Sequence, residues 1–266
     1  MSEPVILHDI DARGVATVTL NRPELRNAFN DELIAFLAEH FTALGELSEV
    51  RAIVLKGAGK CFSAGADLNW MREAAGYSQN ENMADAMRLS AMLKVFNSCP
   101  KPTLALVHGA AFGGGVGLVA CADYAVATAD CTFALSEVRL GLTPATISPY
   151  VVAAIGARNA RALFLSGKRF SGEEARHMGL VHAIGADAAA VAEIGNAWID
   201  DVLASAPGAV SDAKHLITEV EGKPVTYELR ELTAERIARR RASKEGKEGI
   251  DAFLSRRKPD WVADDG

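Results

Sequence analysis

Short apolar runs alternate with longer stretches of helical period along the first two-thirds of the chain. Val15 to Leu20 alternates apolar residues with threonine and ends on Asn21-Arg22-Pro23, the pattern of a strand running into a loop. Asn30 or Asp31 then stands at a helix-capping position. It precedes Leu33, Ile34, Phe36, Leu37, Phe41 and Leu44 on one predicted helical side. Ala52 to Lys56 predicts a short buried strand, followed by the loop Gly57-Ala58-Gly59-Lys60. Strand, helix and strand in this order form a parallel βαβ rhythm. Thr103 to Val107 predicts a further buried strand, and Val116 to Ala120 opens an apolar helix that closes near Asp123.

Between these, Cys61 to Leu68 is a run of small residues after a strand, and Tyr77 to Asp85 is polar and expected to be mobile. Met87 to Phe96 predicts an amphipathic helix stopped by Cys99-Pro100. Tyr124 to Ala127 and Thr132 to Ala134 predict short strands. From Pro149 the pattern turns helical. Ser171 starts a helix with Glu173 and Glu174 in its first turn, ending at Gly179, and Leu180 to Ile184 is a brief extended piece. Helical patterns then cover Asp187 to Ser205, Pro207 to Val220, Val225 to Arg241 and Ser243 to Leu254.

Composition narrows the class. With 266 residues, 49% hydrophobic and 23% charged, the chain suits one large α/β domain with an appended helical segment, or two small domains. There is no apolar run long enough for a membrane span, and the N-terminus lacks a basic region followed by an apolar one, so no signal peptide is read. Cys61, Cys99, Cys121 and Cys131 are irregularly spaced, without a CxxC or His/Cys cluster, which reads as reduced thiols of a cytoplasmic protein with no metal. The net charge of −6 argues against a nucleic-acid partner but leaves room for an anionic small molecule met by local cations. The basic stretches Arg236 to Arg241 and Arg256-Arg257-Lys258 are candidates, or simply solvated helix faces.

The chemistry concentrates between Lys101 and Gly141. Three consecutive glycines, Gly113, Gly114 and Gly115, separate the central strand from its helix. Either the backbone packs closely there, or free N–H groups at a helix start face an oxygen. A single carboxylate, Glu137, follows in an apolar context that should raise its pKa. Templates for dinucleotide loops, P-loops, nucleophile elbows and HExxH zinc sites are absent, and His108 reads as a satisfied core histidine. The turns at Gly65-Ala66 and Gly113-Gly114 each follow a strand. Two such donors on one oxygen make an oxyanion hole, and with one carboxylate they suit chemistry through an enolate.

Phe62-Ser63-Ala64-Gly65-Ala66-Asp67-Leu68, the glycine turn, Ala122-Asp123, and Phe133…Glu137…Gly141-Leu142-Thr143-Pro144 together resemble the enoyl-CoA hydratase/isomerase (crotonase) superfamily. So do Asn21-Arg22-Pro23…Asn27-Ala28 and Glu248-Gly249…Ala252-Phe253, and the resemblance spans almost the whole chain. Within it, Ala66 to Met71 and Leu135 to Leu142 look most like the bacterial methylglutaconyl-CoA hydratases. The resemblance implies an α/β fold, a ClpP-like spiral of ββα units over residues 1–200. It also implies a C-terminal helical segment, 201–266, that joins subunits into trimers or hexamers.

By the same resemblance the oxyanion donors are the N–H groups of Ala66 and Gly114, and Glu137 is the acid/base. Coenzyme A enters with the substrate, so no separate cofactor is implied. Its nucleotide would lie along Ala64, Asp67 and Leu68 and the loop Arg22 to Asn27. Arg22 or Arg26 would stand near the phosphates, and Arg256 would come from a neighbouring subunit; Asp67 is read as structural. The family's hydratases carry a first glutamate where this chain has Gly117. That glycine either leaves room for water or a substrate carboxylate, which Arg139 could pair, or packs a helix closely. The implied function is hydration of a 2-enoyl-CoA, 3-methylglutaconyl-CoA foremost. A Δ3-Δ2 enoyl-CoA isomerase with one glutamate, or a CoA-ester or macromolecular binding module without catalysis, are the alternatives.

Overall fold

Strands that alternate apolar side chains on both faces need cover on both, and the fold supplies it by winding. The computed structural model describes residues 4–262. An edge strand β1 (Ile6–Ile10) pairs antiparallel with β2 (Val15–Leu20). The chain then passes a 3-10 turn at Pro23–Leu25 and enters α1 (Asp31–Glu46), capped by the Asn30 side chain on the Leu33 N–H. β3 (Ala52–Gly57) returns parallel to β2, and α2 (Leu68–Ala74) and α3 (Gln79–Asn97) follow. β4 (Thr103–Val107), β5 (Ala110–Phe112) and α4 (Gly114–Cys121) form the next winding. β6 (Tyr124–Thr128), β7 (Thr132–Ala134), a 3-10 turn at Glu137–Leu140 and α5 (Ser148–Ser166) form the one after.

Each winding lays one strand into a large sheet and the next extended piece into a small one. The large sheet runs β1-β2-β3-β4-β6-β9, parallel from β2 onward, with β9 (Ala183–Gly185) at its far edge. The small sheet is β5-β7-β8, with β8 at Arg169–Ser171, and it continues through single bridges Ser63↔Ala111 and Phe29↔Ala66. This is the spiral of ββα units expected above.

Alternation along β3 shows why two helical layers are needed. Ile53 and Leu55 belong to the main core with Leu37 and Phe41 of α1 and Phe96 of α3, where Phe41 and Phe96 stack at 4.3 Å. Ala52 and Val54 face the opposite way, under Val191 and Ile199 of α7 (Ala188–Leu203). Residue 200, the expected boundary, therefore falls inside a helix that covers the sheet, and the helical arm is set off only after Leu203. That arm comprises α8 (Pro207–Val220), α9 (Tyr227–Ala242) and α10 (Lys244–Ser255), while α6 (Gly172–Met178) bridges β8 and β9. Lys214 of α8 fastens the arm to the core through Asp123 at 2.6 Å. Arg51 holds the carbonyls of Leu203, Ser205 and Trp261.

Several expectations are corrected. Tyr77 to Asp85, expected to be a mobile polar stretch, is mostly the start of a helix: Ser78 and Glu81 form a capping box and α3 begins at Gln79. Leu68 starts α2, which the run of small residues before it hid. Phe36 turns outward from α1. The three-residue strands β5 and β8 are too short to carry a period, and they exist because the small sheet pairs them. Among the described residues no helix is long and apolar enough to cross a membrane.

Candidate active site

β3 and β4 run parallel, so the segments that leave them emerge at the same sheet edge. Phe62 N–H donates to the His108 carbonyl at 2.9 Å, Ser63 N–H to Ala110 at 3.1 Å, and Phe112 N–H to Ser63 at 3.0 Å. The small-residue run is thus zipped to the segment entering the glycine turn. Asn27, fully buried, braces the same loop by donating to the carbonyls of Ala58 (2.8 Å) and Cys61 (2.9 Å). Ser63 Oγ donates to the Asn27 carbonyl and accepts from the Gly65 N–H. From sequence both residues only mark the family resemblance, with Asn27 ending the loop expected beside the nucleotide; a buried asparagine between two loops is a bracing signal only once its partners are known.

This bracing accounts for each N–H in turn. Ala64 donates to the Arg26 carbonyl and Asp67 to that of Phe29, while Phe29 donates to Gly65. Among the described residues the Ala66 N–H between them has no acceptor. On the other turn, Gly113 N–H donates to the Ala134 carbonyl at 3.0 Å, and Gly114 opens α4 with its N–H likewise unspent. The first N–H groups of a helix have no partner within it. Gly113 has φ of +48°, a conformation that side-chain-bearing residues rarely adopt, and that turn aims the helix start. A methyl group at Gly114 would come within 2.7 Å of the Phe29 ring, and Phe29 itself bridges to Ala66. Both free donors therefore belong to residues packed on Phe29, Gly114 against its ring and Ala66 beside its backbone.

Glu137 reaches the same place by strand register. Phe112 pairs with Ala134 in the small sheet, so the residue after each strand end lies over its neighbour's continuation. The Glu137 carboxylate sits against Gly113, Oε1 being 3.1 Å from where a Cβ would stand. Its Oε2 is closed off from solvent and has no hydrogen-bond partner among the described residues. Burial pushes the carboxyl above its ordinary value, opposed only by its own backbone N–H. Glu137 thus has the unspent proton-accepting capacity that chemistry requires.

The other named residues sort differently. Asp67 is buried, caps α2 through the Asn69 N–H at 2.8 Å and pairs with Arg22 at 2.9 Å. Burial alone would raise its carboxyl; the Asn69 N–H and the Arg22 guanidinium outweigh that and hold it below the usual range. Arg22, expected with Arg26 as an alternative near the phosphates, donates to Asp67 and to the Ala28 carbonyl and so ties the loop to the core. Arg26 stays exposed, with φ of +54° and no acceptor for its side chain among the described residues. Leu68 is exposed, Ala64 is half-buried, and Arg256 caps the C-terminus of α10.

Gly117 does not face open space. A methyl group there would overlap Ile147 Cγ2 and lie 3.0 Å from Ile147 Cβ and 3.5 Å from Leu93. The room imagined for water or a substrate carboxylate is filled by core side chains. Arg139, the expected partner of a substrate carboxylate, packs along Gly167 with its guanidinium 3.5 Å from the Ser166 carbonyl, at the C-terminus of α5.

Comparison with known proteins agrees with this geometry. The enoyl-CoA hydratase/isomerase family matches residues 11–264. The crystal structure of an enoyl-CoA hydratase from Shewanella pealeana shares 38% identity and superposes with a TM-score of 0.94, over 97% of this chain and 96% of that one. An enoyl-CoA hydratase of Alternaria alternata, AKT6-1, is 34% identical over 204 residues, 76% of this chain and 66% of that one. The 1,2-epoxyphenylacetyl-CoA isomerase of Escherichia coli is 29% identical over 253 residues, 94% and 95% of the two chains. The chain belongs to the enoyl-CoA hydratase/isomerase family, the crotonase superfamily.

Proposed function

We propose that the chain adds water to a 2-enoyl-CoA thioester, with 3-methylglutaconyl-CoA as the preferred substrate. The observation that carries the reading is the unpartnered Glu137 carboxylate lying against Gly113, next to the free N–H of Gly114. In this reading the thioester oxygen accepts from Ala66 and Gly114, which stabilises the enolate as its charge develops. Glu137 takes a proton from water, the hydroxyl adds to the β-carbon, and the electron pair moves onto the thioester oxygen. The proton then passes from Glu137 to the α-carbon, and the sum is one water added. The acyl group is supported by the likeness of Ala66–Met71 and Leu135–Leu142 to methylglutaconyl-CoA hydratases.

One observation favours a second reading. Ile147 and Leu93 close the space beside Gly117, so a single carboxylate serves the site, and one carboxylate suffices to carry a proton between two carbons of a 3-enoyl-CoA. Purified protein assayed with crotonyl-CoA, a 3-enoyl-CoA and 3-methylglutaconyl-CoA decides between them when hydration and double-bond migration are followed separately. Migration without water addition would overturn the first reading, and inertness toward all three would leave a CoA-ester binding module. We also infer trimers or hexamers, supported by the exposed Ile217, Tyr227, Phe253 and Leu254 along α8–α10, and a cytoplasmic location, supported by the unpaired, buried Cys61, Cys99, Cys121 and Cys131.

A further inference from the structure

At the opposite end of the sheet, a cavity of about 260 Å³ lies between the core and the helical arm. Its core side carries Val50, Arg51 and Lys101; its other side carries Val202 of α7, Val210 of α8 and Glu245 of α10. Arg51 gives one Nη1 and two Nη2 hydrogens to carbonyls at 3.0 to 3.2 Å, and its Nε–H and remaining Nη1–H have no acceptor among the described residues. Among the described residues no carboxylate comes within 4.0 Å of Arg51 or Lys101. Glu245, the one acid on the wall, is already spent: it accepts from the Gly208 and Ala209 N–H groups at 2.9 and 3.1 Å and pairs with Arg240. Glu49 attracts Lys101 from further away, and the Cys99 thiol borders the same side. Burial disfavours the charge on both cations; Glu245 opposes this in part at Arg51 from beyond ion-pair distance, and Arg51 disfavours the charge on Lys101 further.

Two cations drawn partly out of water without a carboxylate partner are costly, and an anion between them offsets that cost. The rest of the wall is mostly apolar, which suits a ligand with a hydrocarbon body, and the volume is below that of drug-sized pockets. The nearby Glu245 carboxylate disfavours a second negative charge on the ligand. We propose that this cleft binds a small organic monoanion of the short-chain carboxylate class. Its carboxylate lies between Arg51 and Lys101, and its alkyl body lies against Val50, Val202 and Val210. Such a ligand touches both core and arm, so its binding braces the junction at residues 203–207. The inference does not rest on the hydratase reading, and its test involves no turnover.

The test is calorimetric titration of butyrate into the full chain, with thermal melts in butyrate, chloride and phosphate at matched ionic strength. Saturable butyrate binding is expected, with a midpoint that rises with occupancy. Lys101→Gln weakens it at least about tenfold, the loss of one charge-assisted contact, whereas Lys101→Arg stays within about threefold. Melts that rise equally in chloride, or phosphate binding as tightly as butyrate, overturn the proposal. So does wild-type affinity in Lys101→Gln, which would put butyrate elsewhere. If Lys101→Gln fails to fold, Ser211→Asp, which adds a like charge to the cavity wall, must lower the affinity comparably. Unchanged affinity in that variant overturns the site as well.

Discussion

Asp67 and Glu137 are both carboxylates withdrawn from water around the same pair of turns, and their surroundings differ in one respect. Asp67 accepts from a helix N-terminus and from Arg22, and its charged form is favoured. Glu137 has one oxygen against a glycine and the other without a partner, and its charged form is disfavoured. A carboxylate that is fully partnered holds loops together and has nothing left for a substrate. One that is unpartnered weakens the fold and keeps its reactivity. The contrast follows from position: Asp67 sits at a helix start facing an arginine, whereas Glu137 opens a 3-10 turn against Gly113.

The contrast breaks most sharply at Glu137. Glu137→Gln keeps the shape and loses the base, and kcat for hydration of crotonyl-CoA is expected to fall about 10²–10⁴-fold, with acyl-CoA affinity little changed. Near wild-type kcat in stopped or continuous assays would remove Glu137 from the chemistry. Asp67→Asn is expected to act on the other side of the comparison. It leaves Arg22 buried and unpaired, a loss of about 3–5 kcal/mol of stability by the usual cost of breaking a buried pair. Denaturant titration reads it. If Asp67→Asn instead spares stability and abolishes kcat, the division of labour drawn here is wrong.

Much of this was legible beforehand, for identifiable reasons. The strands β2, β3, β4 and β6 are long enough to show their period, and α6 announces itself by Ser171 and the closing Gly179. The triple glycine and the lone glutamate singled out the site because each is locally costly. What stayed hidden depends on contacts between distant segments. β5 and β8 are three residues long and take their form from pairing partners. Arg22 looks like any loop arginine until Asp67, far along the chain, is seen beside it at 2.9 Å. Gly117 could be open or crowded, and only the position of Ile147 decides.

That crowding gives a third expectation. Gly117→Ala forces a methyl into Ile147, and overpacking of this kind costs about 1–3 kcal/mol. Activity on crotonyl-CoA and on 3-methylglutaconyl-CoA should then fall in parallel, because the damage is to packing and not to an acyl-selective contact. A drop confined to 3-methylglutaconyl-CoA would restore Gly117 to the site. Ile147→Ala, which removes the clashing Cγ2 where Ile147→Val would not, should make Gly117→Ala less costly than it is beside isoleucine.

The raised Glu137 pKa makes a smaller prediction, with a definite sign. Because the folded chain holds this proton more tightly than the unfolded chain, stability falls as pH rises from the ordinary value of 4.5 through the raised one. Above that window Glu137→Gln should be more stable than the wild type, and below 4.5 the difference should vanish. Asp67 runs the other way: its contribution is present above the ordinary value of 3.8 and is lost as pH falls through its depressed one. Melting midpoints against pH for Glu137→Gln and Asp67→Asn should therefore diverge from the wild type in opposite directions at neutral pH. Parallel curves would mean that the two carboxylates are not distinguished by their partners.

The smallest effect extends the comparison to the two arginines of the loop. Arg22 and Arg26 are separated by one 3-10 turn, yet Arg22 is spent on Asp67 and Arg26 is exposed with no side-chain acceptor among the described residues. If either meets the phosphates of coenzyme A, it is Arg26. An exposed charge contributes about 0–1 kcal/mol, so Arg26→Ala should raise KM for CoA esters by at most about fivefold, with kcat unchanged. Screening confines the effect to low salt: the Debye length falls from about 30 Å at 0.01 M to about 8 Å at 0.15 M, and the KM difference should shrink with it. Arg22→Ala should instead lower stability, since it strands Asp67, and that loss should persist in salt because the pair is buried. An Arg26→Ala enzyme whose KM matches the wild type at low salt would move the phosphate contact to other cations, Arg256 first among them.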